Sequence, residues 1–127
     1  MRYAMGMSRP LAHPGVASMT IAGILYALSD PIRLAIVREL MRSASGLNCT
    51  ETAGRLKTAM PKSTCSHHHR ILREAGLIVS ERHGTELTSR VRTEEIESRF
   101  PGLLQSVFTA YDKECASGAR RALRRAS

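Results

Sequence analysis

The sequence predicts a mainly α domain interrupted once by a small β-hairpin. Three observations carry that expectation. Apolar residues recur at helical spacing, as in Met19, Ile21, Ile24, Leu25 and Leu28. Several such stretches open on residues able to cap a helix. Two β-prone runs, residues 78–82 and 86–92, flank His83-Gly84-Thr85, where Gly84 supplies the positive φ of a tight turn.

The elements follow in chain order. Residues 1–17 have no core-forming pattern and are expected as a flexible arm. A first helix covers residues 19–28. The second starts at "SDPIR": Asp30 can accept from free N–H groups, and Pro31 suits the first turn, where a missing donor costs nothing. It should run to about Arg42 and bury Leu34, Val37, Leu40 and Met41. Asn48 and Glu51, three apart, form a capping-box arrangement for a third helix, with Ala53 and Leu56 facing the core. Pro61 breaks that helix, a fourth begins near Lys62, and Gly76 can end it in a left-handed conformation.

Beyond the hairpin, Thr93 is expected to cap a short helix that stops at Phe100-Pro101. A last helix over residues 102–116 carries Leu103, Leu104, Val107, Phe108 and Tyr111. Gly118 should end or weaken it, leaving residues 118–127 as a frayed basic tail. The folded domain is thus expected over residues 18–117.

Composition narrows the function. Its 127 residues allow one domain with a modest core. Lys and Arg number 19 against 11 Asp and Glu, a net charge of +8. On so small a chain that points to a polyanion, nucleic acid ahead of a membrane surface. Aromatics are only 4%, leaving few rings on which unstacked RNA bases could sit. Cys49, Cys65 and Cys115 are too few and too scattered for a disulfide framework, which suits a reducing cytoplasm. Arg9, Pro10, His13, Pro14 and Gly15 break any signal-peptide core. No run approaches the ~18 apolar residues of a spanning helix. A soluble, cytoplasmic protein is expected, without a membrane partner.

The run "KSTCSHHHRILREAGL", residues 62–77, offers metal, catalytic and binding readings. Successive helical residues lie ~100° apart, so His67 and His69 diverge by roughly 200° and the three histidines cannot converge on one ion. Cys65 with His68 or His69 gives two ligands, where zinc wants three or four. The rest would have to come from elsewhere, and no CxxC or HExxH is present. A nucleophilic Cys65 would need exposure and an oriented histidine, yet it falls on the apolar side with Ile71, Leu72 and Ala75. His68 should lie near the middle of that side and His69 at its edge. No catalytic residue, metal ligand or cofactor is therefore assigned.

The opposite face carries Ser63, Ser66, His67 and Arg70, groups that hydrogen-bond to phosphates and base edges. Two helices joined by a short break, the second polar on its outer face, make a helix-turn-helix. The hairpin behind it, with Arg82 and His83 near the tip and Arg90 and Arg92 on one face, makes a wing. The second helix can enter the ~12 Å major groove. Candidate DNA-binding residues are Lys62, Ser63, Thr64, Ser66, His67, Arg70, Arg82, His83 and Arg90. Arg120 to Arg125 can add non-specific attraction.

"ALSDPIRLAIVREL", "KSTCSHHHRILREAGLI" and "ERHGTELTSRV" resemble the second helix, recognition helix and wing of ArsR-type winged helix-turn-helix regulators, over residues 24–108. The resemblance implies a homodimeric repressor on a palindromic double-stranded operator, released by an unidentified signal. It implies that the terminal helices, residues 18–28 and 102–116, pair across a two-fold axis through Ile21, Ile24, Leu25, Leu103, Leu104, Val107, Phe108 and Tyr111. Many relatives sense metals through Cys-x-Cys before the turn; "NCTETAGRL" has one cysteine, so metal binding is not carried over. Relatives usually hold Phe or Leu where His69 stands, and a polar ring there can signal pH sensitivity or a looser core. Two other readings stay open: a protein-interaction module on the same fold, and a thiol- or metal-responsive form of the regulator.

Overall fold

Side-chain caps set where the helices begin. In a computed structural model the backbone is described for residues 9–10, 12–57 and 59–126, and side chains for 12–57 and 59–118. Helix α1 (Ile21–Leu28) starts where Thr20 accepts from the Gly23 N–H. Helix α2 (Pro31–Met41) starts where Asp30 accepts from Ile32 and Arg33 at 2.9 and 3.0 Å. Helix α3 (Cys49–Leu56) carries both halves of the capping box: the Asn48 side chain accepts from Glu51, and the Glu51 carboxylate accepts from the Asn48 N–H. Helix α4 (Lys62–Ala75) ends at Gly76, whose φ of 94° is left-handed. A Cβ there would lie 2.7 Å from Met19 Cγ, so only glycine fits.

Strands β2 (Ile78–His83) and β3 (Glu86–Val91) form the expected antiparallel hairpin, with Gly84-Thr85 at its tip. Gly84 has φ 65° and Thr85 does not have positive φ, the pattern of a II′ turn. Helices α5 (Thr93–Arg99) and α6 (Leu103–Ala126) complete the chain. Thr93 is the first residue of α5, not its cap.

The core gathers Met19, Ile24, Ala27 and Leu28 with Ile36, Val37 and Leu40 of α2, Leu72 of α4, and Leu77, Ile78 and Val91 around the hairpin. Ile96, Leu104 and Phe108 close it from α5 and α6. Each of the larger side chains among them contributes ~1.5–3 kcal/mol by leaving water. Helix α2 is turned slightly from expectation: Arg33, Ile36, Val37 and Leu40 are buried, and Leu34 and Met41 are half-buried. In α3, Thr52 is the buried residue, its hydroxyl donating to the Asn48 carbonyl; Ala53 and Leu56 are half-buried.

Both ends depart from expectation. Within the expected arm, Arg9–Pro10 forms strand β1, antiparallel to β2 opposite Arg82 and Glu81. His13 Nε2 accepts from the Ser80 N–H at 2.9 Å, and Val16 packs against the core. An apolar pattern does not report backbone pairing at an open strand edge, which is why this order was not expected. Residues 1–8 lie outside the described residues. At the other end, α6 passes through Gly118 to Ala126. The Ala- and Arg-rich segment favours helix strongly enough to carry the ~1 kcal/mol cost of one glycine. The side chains of Arg120 to Arg125 lie outside those described.

Candidate nucleic-acid interface

Helix α4 presents two unlike faces. Cys65, His69 and Leu72, spaced i, i+4 and i+7, are buried at 1%, 3% and 0% exposure. Lys62, Ser63, Thr64, Ser66, His67 and Arg70 are all exposed. His69, not His68, is thus the innermost histidine; the helix is turned so that the 65–69–72 row meets the core. His68 is half-buried, beside Arg33 Nη1 at 3.4 Å, and burial draws its pKa below the usual imidazole range.

The wing stands beside this face. Leu47 exchanges two backbone hydrogen bonds with Ser89, holding the start of α3 against β3. Arg82 is half-buried on the inner side of the hairpin; Lys62, Ser66, Arg82 and Thr85 line one cleft with Asn48, Cys49 and Thr50. His83 and Arg90 are exposed and line a shallow recess with Val79 and Glu81, on the other side. The structure therefore unites Lys62, Ser66 and Arg82, and places His83 and Arg90 across the hairpin from them.

Arg92 is not a wing cation. It is 7% exposed, donates to both Glu95 carboxylate oxygens at 3.1 and 2.7 Å, and donates to the Pro14 carbonyl at 2.9 Å. Its hydrogen bond to Glu95 holds that carboxyl below the usual range. A buried guanidinium held by three of its five N–H donors anchors the N-terminal segment and is not presented to a phosphate.

Under the polar face, Cys65 Sγ lies 3.5 Å and Cys49 Sγ 4.0 Å from His69 Nδ1. Nδ1 also lies 2.9 Å from the Cys65 carbonyl, to which it can donate; Nε2 is buried without a hydrogen-bond partner. Cys49 is held well below the usual thiol range by its hydrogen bond with Cys65, then by His69. The same hydrogen bond and burial push Cys65 up. Burial and the neighbouring Cys49 disfavour a thiolate at Cys65, the reverse of an activated Cys65 nucleophile. Sequence reasoning paired Cys65 with His69 but missed Cys49. Its placement directly after the Asn48 cap was the available signal, since the first turn of α3 meets the first turn of α4.

An exposed polar helix behind a short turn, flanked by a two-stranded wing, defines a winged helix-turn-helix protein. A helix-turn-helix domain family matches residues 28–81. The chain is 36% identical over 86 residues to the uncharacterized HTH-type transcriptional regulator YceK of Bacillus subtilis (strain 168), covering 68% of this chain and 84% of that one. It is similar to an ArsR-like transcriptional regulator from Rhodococcus sp. RHA1, at 25% identity and a TM-score of 0.53, over 80% of this chain and 91% of that one. NolR from Sinorhizobium fredii shares the fold at 22% identity and a TM-score of 0.53, over 73% and 84% of the two chains. The chain belongs to the HTH-type transcriptional regulators, with a fold like that of ArsR-like regulators, and it is a DNA-binding transcriptional regulator. Among the described residues, no helix is long and apolar enough to cross a membrane.

Proposed function

We propose that the protein is a cytoplasmic homodimeric repressor that reads a palindromic operator with α4 in the major groove. The observation that carries this reading is the outward row of Ser63, Ser66, His67 and Arg70 on a helix whose other face is fixed in the core. Ser63, Thr64, Ser66 and His67 set register on base edges and phosphates. Lys62, Arg70 and Arg82 neutralise phosphates beside the helix, while His83 and Arg90 meet the backbone from the outer side of the wing.

The dimer reading needs a surface that one chain leaves uncovered. Ile21 and Leu25 are 44% and 48% exposed, and Tyr26 is 64% exposed. Leu103, Val107 and Tyr111 are half-buried along α6. These residues support a seam between two copies. Ile24, Leu104 and Phe108 do not: each is buried in the core of its own chain and has no area left for a partner. Their expected place in the seam is corrected accordingly; helical spacing groups both faces of a short apolar helix alike.

The test is selection of bound duplexes from a random pool, then affinity against salt. A palindromic consensus with half-sites about one or two turns apart is expected. Four cations on each of two copies give a limiting slope of log K against log salt of about −7. Absence of binding even at low salt overturns the reading and favours a protein-interaction module.

A further inference from the structure

We propose that Cys49, Cys65 and His69 form a binding site for one thiophilic divalent cation of the zinc–cadmium class, set between the two helices of the helix-turn-helix. Their ligand atoms all lie within 4.8 Å of one another. A tetrahedral zinc ion with ordinary bond lengths spaces sulfur and nitrogen ligands ~3.6 Å apart, and two sulfurs ~3.8 Å apart. The observed sulfur-to-Nδ1 distances of 3.5 and 4.0 Å need little adjustment. The cluster is drawn from two helices and is not a Cys-x-Cys pair on one.

His69 is 3% exposed, and the ring nitrogen turned toward both sulfurs is Nδ1. A leucine would fill this place in the core with no polar atom left over. An imidazole stands here instead, with the same nitrogen beside two sulfurs, a soft donor set suited to a thiophilic cation. Two thiolates balance a divalent charge, so the loaded site is neutral and tolerates its half-buried setting. On the Cys49 side the cluster opens on the cleft lined by Asn48, Thr50, Lys62, Ser66 and Arg82, which leaves room for water as a fourth ligand.

Loading balances as follows. The ion accepts lone pairs from both sulfurs and from Nδ1. Both cysteines bind as thiolates, the thiol protons leaving to solvent, and the Nδ1 proton is replaced by one on Nε2. The hydrogen bond from Nδ1 to the Cys65 carbonyl is exchanged for a metal bond. Because Cys49 opens α3 and Cys65 lies in the first turn of α4, loading cross-links these two helices immediately under Ser66. An effect of loading on operator affinity rests on the function proposed above; loading itself does not.

The experiment uses the full chain, reduced and freed of metal, titrated with cadmium(II) or zinc(II) against a chromophoric chelator. One equivalent per chain is expected, with the ultraviolet charge-transfer band of a cadmium–thiolate bond. Cys115→Ser should bind as the parent does, since Cys115 is exposed on α6. Cys49→Ser, Cys65→Ser and His69→Gln should each weaken binding at least about tenfold, or 1.4 kcal/mol. Should Cys65→Ser fail to fold, the half-buried Cys49→Ser decides the matter. Undiminished uptake in Cys49→Ser, loss of uptake in Cys115→Ser, or no uptake by the parent at micromolar ion overturns the proposal. These readouts contain no DNA, so their failure is distinct from failure of the operator reading.

Discussion

Arg33 Nε donates to the Ala27 carbonyl at 2.7 Å, joining the end of α1 to the start of α2 beneath the Asp30 cap. The guanidinium carbon also sits 5.7 Å from the Tyr26 ring centroid. Arg33 is a buried residue. Replacing Arg33 with alanine leaves a buried carbonyl unsatisfied and removes a charge-assisted hydrogen bond worth ~1.5–3 kcal/mol. Urea denaturation of Arg33→Ala should show a stability loss of about 2 kcal/mol. A change below about 0.5 kcal/mol would show that this bond does not hold α1 to α2.

Gly76 closes α4 with φ 94° against Met19. Gly76→Ala forces a left-handed alanine and a clash with Met19 Cγ. The expected cost is ~1–3 kcal/mol, read as a lowered midpoint in thermal unfolding. Pairing it with Met19→Ala should recover part of the loss, because the steric component then disappears while the backbone strain stays.

Arg70 and His67 project from the same exposed face of α4 but are expected to act differently. Arg70→Ala should weaken binding to matched and scrambled duplexes alike and reduce the salt slope by about 0.9 per copy. His67→Ala should leave the slope nearly unchanged and lower the preference for the selected operator. Equal losses of slope in both variants would show that the two side chains only neutralise phosphate.

Glu95 gives the pH dependence a sign. The Arg92 hydrogen bond holds its carboxyl below the usual range, with Arg90 and His13 adding to the effect and burial opposing it. A depressed carboxyl contributes stability that is present above its unfolded pKa, ~4.3, and lost as pH falls through the folded value. The Glu95 side chain is 46% exposed, so screening keeps the effect within ~0.2–1 kcal/mol. Parent should exceed Glu95→Gln in stability at pH 7, with the gap closing in the acid range. A gap that persists at pH 2 would assign the difference to packing.

Local signals were legible because they act within a few residues. Asp30, the Asn48–Glu51 pair, Gly76 and Gly84 each perform the task their chemistry suggests. The polar face of α4 was legible for the same reason, as helical geometry alone assigns Ser63, Ser66, His67 and Arg70 to one side. Contacts between distant segments were not legible. Arg92 turns inward because Pro14, 78 residues earlier, offers a carbonyl. Cys49 joins Cys65 only once α3 and α4 cross. The order of His68 and His69 depended on a small rotation of α4 that its few apolar residues, Ile71, Leu72 and Ala75, do not specify.

Strand β1 has a consequence for how the chain tolerates trimming. Its two residues occupy the outer margin of β2 opposite Glu81 and Arg82. Clipping the polypeptide ahead of residue 12 would bare a ladder of donors and acceptors next to the wing. Such a margin invites strand addition by a neighbouring molecule, so a shortened version would trade its own closure for self-association.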